Sequence, residues 1–401
     1  MADSSPTGQK MMLTGNYAAA YGAKLSRAEA VPVYPITPQT TIMEKIIELI
    51  NQDQMEAEYL PMESEHSVMA AAIGAQAGGV RVFTASSSQG VAYMHENLFV
   101  ASGLRLPLVM ALVNRSIGPP ISIYPDHSDS MAQRDTGWLQ FYVENAQEVV
   151  DTVIQAYKVA EHPDVLLPAA VCFEGLVISH FLEPVDLPDQ KAVDSFLPAY
   201  EPDSSLLRPD KIVHLSVTVN DKYFMEYKYQ QQEAMDQAKA VIRSVDQEFG
   251  RVFGRSYGGL IQPYRLEDAE VALLSLGSLS GLTRLAVDQL RQQGLAAGSL
   301  KLRVFRPFPR EELQDLAQRL KLLIVLDRAV SPGQGGIVHP EVAAALYSLA
   351  PRPALAGRIV GLGGRLVSQD DLVALTREAL SEMTSGQADW PLSWVGVRGL
   401  K

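Results

Sequence analysis

The sequence predicts an α/β protein built from two doubly wound domains with parallel sheets. Short apolar runs of strand length alternate with helical patterns from residue 31 to residue 173, and the same alternation starts again at residue 269. Residues 106–113 form a continuous apolar run, which is typical of a parallel strand covered on both faces. The 401 residues, 47% of them hydrophobic, fit a globular chain of about two or three domains.

The first predicted domain follows a polar tail of ten residues. Thr14 or Asn16 is expected to cap a helix that runs to Leu25. The strand and helix patterns then alternate in the order strand 31–34, helix 42–50, a small-residue helix ending at 77, strand 80–84, helix 91–102, strand 106–113, helix 146–161 and strand 165–173.

Prolines and acidic residues break the periodicity between residues 182 and 207, which indicates an ordered crossing segment or a linker. A polar helix is predicted at about 227–249. The second, smaller domain is expected to contain strand 269–276, helix 280–293, strand 299–304, helix 310–320, strand 322–326, helix 340–349 and strand 358–360.

The composition excludes several classes of partner. Acidic residues outnumber basic ones by 46 to 34, so nucleic acid and anionic membranes are poor partners. The longest apolar runs, such as 322–326, are far shorter than the roughly 20 residues of a membrane span, and the first ten residues lack a hydrophobic signal core. We therefore expect a cytoplasmic protein.

Cys172 is the only cysteine, so an iron-sulfur cluster, which needs about four thiolates, would belong to another chain.

A loop bounded by Pro35 and Pro38 follows the first predicted strand. Ligands bind at the carboxyl ends of the strands in open α/β sheets, and two prolines restrict the backbone around Thr37. Thr37 is therefore a candidate ligand-binding residue. The alternative is a rigid connection in which Thr37 is only the N-cap of the next helix.

Two acids, Glu63 and Glu65, lead into the small-residue helix that ends at residue 77. A carboxylate in a first helical turn is favoured by the helix dipole by about 0.3–1 kcal/mol, and this alone can explain an acid here. Because residues 68–77 are small and mostly apolar, an acid at this point can also be partly desolvated and suited to proton exchange.

The loop Ser86-Ser87-Ser88-Gln89-Gly90 precedes a helix and could hold a ligand through its backbone donors. It lacks the spacing of the Walker and dinucleotide fingerprints. The chain also lacks a Gly-Asp-Gly motif with downstream asparagines, the usual magnesium-pyrophosphate element of thiamine enzymes.

Arg115 follows the apolar strand 106–113, at the sheet edge predicted for Thr37. A guanidinium placed there can bind a small carboxylate through two parallel hydrogen bonds, although a surface position is the commoner fate of an arginine. His127 lies between two aspartates and could serve as a base or in a metal site, or belong to a structural polar network. The glycine-rich loops 333–336 and 361–364 are either tight turns or ligand cradles.

Nine segments, which follow one order through almost the whole chain, carry a further observation: YPITPQTT (34–41), ESEHSVMAAAIGAQAGG (63–79), TASSSQG (84–90), MHENLFVASGLRLP (94–107), NRSIGPPISI (114–123), DHSDS (126–130), QRDTGWLQFY (133–142), RVFRPFP (303–309) and LDRAVSPGQGG (326–336). Together they strongly resemble the alpha subunits of pyruvate:ferredoxin oxidoreductases and related 2-oxoacid oxidoreductases.

The resemblance implies two transketolase-like domains. It assigns residues 1–185 to a thiamine-enzyme pyrimidine-type domain, 186–262 to a crossing segment with a helical arm, 263–385 to a transketolase C-terminal-like domain and 386–401 to a tail. It further implies a beta subunit that supplies the Mg²⁺ site of a shared thiamine diphosphate and an iron-sulfur cluster, together with gamma and ferredoxin-like delta subunits. The implied activity is the oxidative decarboxylation of a 2-oxoacid to acyl-CoA and CO₂, with coenzyme A as co-substrate and ferredoxin or another electron acceptor.

The same resemblance assigns roles to individual residues. Glu65 matches the glutamate that hydrogen-bonds the aminopyrimidine ring of the cofactor, and we place Ser88, Gln89 and Gly90 with it as cofactor-binding residues. The implied catalytic residues are Glu65, Thr37 and Arg115. Thr37 and Arg115 face the carboxylate and carbonyl of the substrate, and Ile117 joins them as a substrate-binding residue. No metal ligand is predicted in this chain.

Residues 116–120 and 214–229 depart from the pyruvate-type pattern. Pyruvate remains the expected substrate, and a bulkier 2-oxoacid such as phenylglyoxylate or 2-oxoisovalerate is the alternative. A thiamine-dependent dehydrogenase half that passes its acyl group to lipoamide is a second alternative. The third is an assembly scaffold without catalytic residues, which predicts that replacing Glu65 leaves activity intact.

Overall fold

The computed structural model describes residues 8–201, 207, 210, 218–386 and 389–399. They form two α/β units with largely parallel sheets, which confirms the predicted fold class. The elements of the first unit are β1 (Gln9–Leu13), α1 (Gly15–Leu25), β2 (Ala30–Val33), α2 (Thr40–Asn51), β3 (Glu58–Pro61), α3 (Glu65–Ala77), β4 (Phe83–Ser86), α4 (Ser88–Tyr93), α5 (His95–Gly103), β5 (Val109–Asn114), α6 (Ser128–Met131), β6 (Leu139–Tyr142), α7 (Ala146–Ala160), β7 (Ala169–Glu174), β8 (Glu183–Leu187) and α8 (Gln190–Phe196).

A long helix leads into the second unit. The remaining elements are α9 (Phe224–Phe253), β9 (Ile261–Tyr264), β10 (Val271–Ser275), α10 (Leu279–Gln292), β11 (Ala297–Leu302), β12 (Val304–Arg306), α11 (Arg310–Ala317), β13 (Leu322–Asp327), β14 (Val330–Ser331), β15 (Gly335–Gly336), α12 (Val338–Leu346), β16 (Ala354–Ile359), α13 (Gln369–Thr384) and β17 (Asp389–Trp394).

The first sheet has the strand order β12-β6-β7-β5-β4, and all its pairs are parallel except β12 with β6. The parallel pair β2-β3 extends it through a bridge between Ala30 and Val82. The register places Asn114 opposite Glu174 at the carboxyl ends of β5 and β7. This is the edge at which open α/β sheets bind ligands, so the candidate residues lie where the topology predicts them.

The second sheet has the order β17-β16-β13-β10-β11-β9, with only β9 antiparallel to its neighbour. Its carboxyl ends face the first unit. One apolar cluster includes Met110 and Leu112 of the first sheet together with Leu274 and Val325 of the second. The two units therefore share a continuous core.

The helix caps explain how the first site loop is held. Thr14 Oγ1 accepts a hydrogen bond from the backbone N–H of Tyr17, at 3.2 Å, so Thr14 is the cap of α1. Asn16, the alternative cap, instead donates from Nδ2 to the carbonyl oxygen of Pro38 and to Thr41 Oγ1, both at 2.7 Å. A buried amide therefore fixes the loop that contains Thr37.

The region predicted as a crossing segment contains more regular structure than its sequence indicates. β8 pairs antiparallel with β1, and Asp189 caps α8. α9 begins three residues before the predicted start, because the exposed aromatic residues of its first turns hide the helical period. It also runs four residues beyond the predicted end, where Phe253 packs into the core. Of the atypical region 214–229, residues 214–217 lie outside the described residues.

Across the described ranges, no helix combines the length and the apolar character that crossing a bilayer requires.

Candidate active site

Glu65 is the first residue of α3 and is only 8% exposed. Ser64 caps the helix by accepting a hydrogen bond from Ser67 N at 3.2 Å, which places the Glu65 carboxylate in the first turn, where the helix dipole favours it. Glu63 is exposed and accepts a hydrogen bond from Ser67 Oγ at 2.5 Å. The structure therefore separates the two acids, and only Glu65 is buried.

The first turn of α4, which follows β4 almost directly, brings Gly90 against the Glu65 carboxylate. A Cβ atom on Gly90 would lie 2.6 Å from Glu65 Oε1 and 2.6 Å from Ser86 Oγ. Real Cβ contacts are not this short, so glycine is required for the present position of Glu65. Of the three residues predicted to bind the cofactor together with Glu65, Gly90 lies beside Glu65, and Ser88 and Gln89 contact the Arg115 segment.

Arg115 follows the last residue of β5 and is 8% exposed. Its Nη2 donates to Gln89 Oε1 at 3.2 Å, while Nε is buried and has no hydrogen-bond partner among the described residues. Burial lowers the pKa of the guanidinium, and the charge of Asp129 acts in the opposite direction. Arg115 forms no ion pair within the described ranges, so a buried cation with free donors is ready for an anionic ligand.

Thr37 lies in an exposed turn beside this site. The N-cap position of α2 is Gln39 and the helix starts at Thr40, so the capping alternative for Thr37 is wrong. A Cβ on Gly175 would lie 2.8 Å from Pro38 Cγ and 3.0 Å from the carbonyl oxygen of Asn114. Gly175 thus lets the Thr37 loop approach the end of β5, although no contact joins Thr37 to Arg115 itself.

The half-buried Ile117 belongs to a loop that closes on itself. Ser116 Oγ accepts a hydrogen bond from Ser122 N at 2.8 Å, and Gly118 adopts the left-handed conformation with φ of +70°. The second unit supports this loop, because Gly363 N donates to the carbonyl oxygen of Pro125 at 2.9 Å. Ile117 therefore lies on a wall of defined shape next to Arg115.

His127 belongs to a polar network between the two units. Its Nε2 lies 3.1 Å from Glu174 Oε1, and Arg328 Nη1 donates to the same oxygen, also at 3.1 Å. Ser278 N, at the start of α10, donates to Glu174 Oε1 at 3.0 Å. Burial opposes ionisation of Glu174, but the hydrogen bond and charge of His127, the charge of Arg328 and the Ser278 N–H hold its pKa below the usual range. The described residues contain no cluster of three or more potential metal ligands.

The two glycine-rich loops of the second unit form turns. Residues 333–336 contain the end of the turn that joins β14 to β15 and both residues of β15. Residues 362–364 form a 3₁₀ turn. Gly336 allows the close approach of Asp327, whose carboxylate accepts hydrogen bonds from the first backbone N–H groups of α12.

Sequence reasoning missed two residues at this edge. Glu174 was not considered, although it is the polar residue that directly follows an apolar strand run. For Asp129 the sequence offers a base, a metal site or a structural polar network, but not its actual partners: its carboxylate accepts hydrogen bonds from Ser88 N and Arg115 N. Position at a strand end was the available signal for Glu174, and no local pattern reveals the bridging role of Asp129.

Two family models together match most of the chain. Residues 21–247 match the model described as pyruvate flavodoxin/ferredoxin oxidoreductase, thiamine diphosphate-binding, and residues 269–372 match pyruvate:ferredoxin oxidoreductase core domain II. The chain is 42% identical over 392 residues to pyruvate synthase subunit PorA of Pyrococcus abyssi, which covers 97% of this chain and 98% of that protein. It is 46% identical over 389 residues to ketoisovalerate oxidoreductase subunit VorA of Pyrococcus horikoshii, with the same coverage of 97% and 98%.

A solved structure of the 2-oxoglutarate:ferredoxin oxidoreductase from Magnetococcus marinus shares the fold, with a TM-score of 0.71 at 16% identity. The match covers 92% of this chain and 65% of that one.

Proposed function

Because this chain belongs to the pyruvate:ferredoxin oxidoreductase family, as an alpha-type subunit, we propose that it forms the pyrimidine half of a thiamine diphosphate site. The reaction we assign to the assembled enzyme converts a 2-oxoacid and coenzyme A into acyl-CoA and CO₂. Two electrons and a proton leave in the process, and the electrons pass to iron-sulfur partners. The observation that carries the proposal is the buried Glu65 carboxylate held against Gly90, close to the unpaired Arg115.

The residues around Glu65 fit the aminopyrimidine ring of thiamine diphosphate. Glu65 is the buried acid of the Glu63–Glu65 pair, and the absence of a side chain on Gly90 lets its carboxylate lie directly against the first turn of α4. When bound, the cofactor would supply the carbanion that attacks the 2-oxo carbon. The part of Glu65 is to hold a proton between its carboxyl oxygen and a ring nitrogen, which requires a carboxylic acid at this position.

Arg115 is suited to bind the carboxylate of the 2-oxoacid. Its guanidinium retains free donors, and Gln89 holds one end of the fork in place. A preorganised cation stabilises the substrate carboxylate without requiring water to reorganise, and Thr37, on the neighbouring loop, would orient the carbonyl. The chain's own residues thus orient the substrate and exclude water, and we place Ile117 on the wall that meets the substrate side chain.

The outer face of α3, α4 and α5 is suited to receive the partner subunit. Tyr93 is 59% exposed and Phe99 is 40% exposed, while Ala70 and Gly74 present a flat surface on α3. Exposed apolar patches of this kind mark interaction sites. We propose that a beta subunit with the Mg²⁺-pyrophosphate half of the site covers this face, and that gamma and delta subunits complete the complex. Iron-sulfur clusters belong to the partners, since Cys172 is the only cysteine of this chain.

Co-expression of this chain with its partner chains tests the proposal. The purified complex is assayed with pyruvate, 2-oxoisovalerate, 2-oxoglutarate and phenylglyoxylate, with coenzyme A and a viologen acceptor. We expect CoA-dependent reduction of viologen with at least one of them and formation of the corresponding acyl-CoA. Turnover that requires lipoamide instead would favour the dehydrogenase alternative, and no turnover of any of the four acids would refute the proposed function.

Pyruvate is the expected substrate, and a branched 2-oxoacid is the second candidate. The second is favoured by the 46% identity to a ketoisovalerate oxidoreductase subunit and by the departure at Ser116–Pro120, where a glycine and two prolines shape the wall. The ratio of kcat/KM for pyruvate and 2-oxoisovalerate separates the two candidates.

A further inference from the structure

Asp129 is a fully buried carboxylate that joins two separate segments of the candidate site. Its Oδ2 accepts hydrogen bonds from Ser88 N at 2.9 Å and from Arg115 N at 3.1 Å. Its Oδ1 accepts from Asn114 Nδ2 at 2.7 Å and from Ser130 N at 2.8 Å. One oxygen atom therefore bridges the start of α4 and the loop after β5.

The two bridged segments carry the groups that must act together. The first turn of α4 contains Gly90, which lies against Glu65, and the loop after β5 contains Arg115. Two further contacts join the same two segments: Ser88 Oγ donates to the carbonyl oxygen of Ser116, and Arg115 Nη2 donates to Gln89 Oε1. Ser88 has φ of +50°, a conformation that costs a non-glycine residue energy and needs support from its surroundings.

We propose that Asp129 is a positioning residue, which sets the distance between the substrate-binding Arg115 and the cofactor-facing residues Gly90 and Glu65. The inference deepens the proposed function and rests on it. The buried carboxylate touches neither reacting group and acts through the backbone amides of Ser88 and Arg115. Because reacting groups must meet at near-contact distances, a shift of about 1 Å in this spacing costs on the order of 10²-fold in rate.

Two variants of opposite character separate positioning from charge. Asp129→Asn removes the charge and keeps the length, so an amide oxygen remains to accept from Ser88 N and Arg115 N. Asp129→Glu keeps the charge and adds a methylene group, which forces the two loops apart. For positioning, Asp129→Glu should raise the KM of the preferred 2-oxoacid about 10-fold or more and lower kcat/KM about 10²-fold, whereas Asp129→Asn should change KM less than about threefold.

Asp126→Ala is the matched control in the same segment. Among the residues that the structure describes, Asp126 Oδ1 accepts from Ser128 N, at 2.7 Å, and forms no hydrogen bond with either bridged segment. It should leave KM unchanged in the assembled complex. Thermal unfolding of each complex shows whether a kinetic change accompanies a loss of stability or occurs without one.

The outcomes distinguish this inference from the proposed function. If Asp129→Glu and Asp129→Asn both leave KM within about twofold, or if Asp129→Asn is as damaging as Asp129→Glu, positioning by Asp129 is refuted. Failure of the nearly isosteric Asp129→Asn complex to assemble would refute it as well, because a purely structural role would then suffice. The proposed function itself depends on Glu65 and on turnover of a 2-oxoacid by the wild-type complex, which these variants leave untouched.

Discussion

The carboxylate of Glu65 lies so close to Gly90 that a Cβ on residue 90 would come within 2.6 Å of Oε1. Gly90→Ala should therefore displace the Glu65 side chain and lower turnover of the assembled enzyme by about 10²-fold, the scale of a lost acid-base contact. Gly103→Ala is the control, because a Cβ there meets no atom within 4 Å. Steady-state kinetics of both complexes check the prediction, and equal activities would show that Glu65 needs no fixed position.

Glu65→Gln should preserve the fold and lower kcat on the order of 10²-fold or more, since an amide cannot hold and release a proton at the cofactor ring. Glu63→Gln is the matched control: Glu63 is exposed, and its pKa is lowered by a hydrogen bond from Ser67, a local contact on the helix surface. Similar losses at both positions would contradict the assignment of Glu65.

Titration calorimetry with thiamine diphosphate should show poor binding to the isolated wild-type chain and tight binding to the complex.

Arg115→Lys keeps a positive charge but loses the planar fork, so kcat/KM for the 2-oxoacid should fall strongly, and Arg115→Ala should be worse. The control is Arg105→Lys, in the loop that leads into β5. Arg105 donates to the carbonyl oxygens of Val165 and Leu166, so its replacement should lower thermal stability and leave KM unchanged. Initial rates at varied 2-oxoacid concentration measure both effects.

Ile117→Ala should enlarge the space for the substrate side chain and shift preference toward bulkier 2-oxoacids by about 10-fold, the usual effect of removing methyl groups from a pocket wall. Ile121→Ala, in the same loop, removes a side chain that is 63% exposed and should not alter preference. The ratio of kcat/KM for 2-oxoisovalerate to that for pyruvate is the measurement. An unchanged ratio in Ile117→Ala would remove Ile117 from the pocket.

Burial raises the pKa of Asp129 to about 6, although hydrogen bonds from Asn114, Ser88, Arg115 and Ser130 oppose the shift. As the pH falls through about 6, the protonated carboxyl should accept fewer hydrogen bonds but still present one oxygen to Ser88 N and Arg115 N. The decline in kcat/KM should therefore stay within about threefold, the limit expected for Asp129→Asn. Since the folded pKa lies above the ordinary value of 3.8, protonation favours the folded state between these two values, and the decline should occur without unfolding.

The charged or titratable groups around Asp129 are Arg115 on the β5 side, His127 on its own segment, Tyr142 on β6 and Cys172 on β7. The pKa values of Tyr142 and Cys172 are raised well above their ordinary ranges by burial, so neither titrates near pH 6. Asp129→Asn should abolish the acidic decline. If that variant keeps the same profile as the wild type, another group is responsible.

The sequence predicts those parts of the site that follow from short sequence patterns, such as the end of a strand or the start of a helix. Glu65, Gly90 and Arg115 each follow a strand or begin a helix, and strand ends can be recognised from apolar runs. The contacts of Asp129 and Glu174 depend instead on residues distant in the chain: Glu174 meets Ser278 and Arg328, which are 104 and 154 positions away. No periodicity carries such information, because these contacts exist only after the sheets have assembled.

The same limit applies to elements of secondary structure. β12 has only three residues and pairs antiparallel with β6, more than 160 positions earlier, so a chain segment predicted to belong to the second domain completes the first sheet. α9 shows the same limit, since its last turn is fixed by burial of Phe253 in the core and not by local helix propensity.

The buried Glu174 network determines how this chain can be recombined with its relatives. If the second unit is exchanged for that of a homologue, Glu174 remains in the first unit and its partners Ser278 and Arg328 are replaced. The network survives only if the homologue has equivalent residues at these two positions. A mismatched chimaera would enclose an uncompensated charge, which is strongly destabilising. The two halves therefore need to be exchanged together, and the loops at their shared edge are the part of the chain where substrate preference can be altered without disturbing this network.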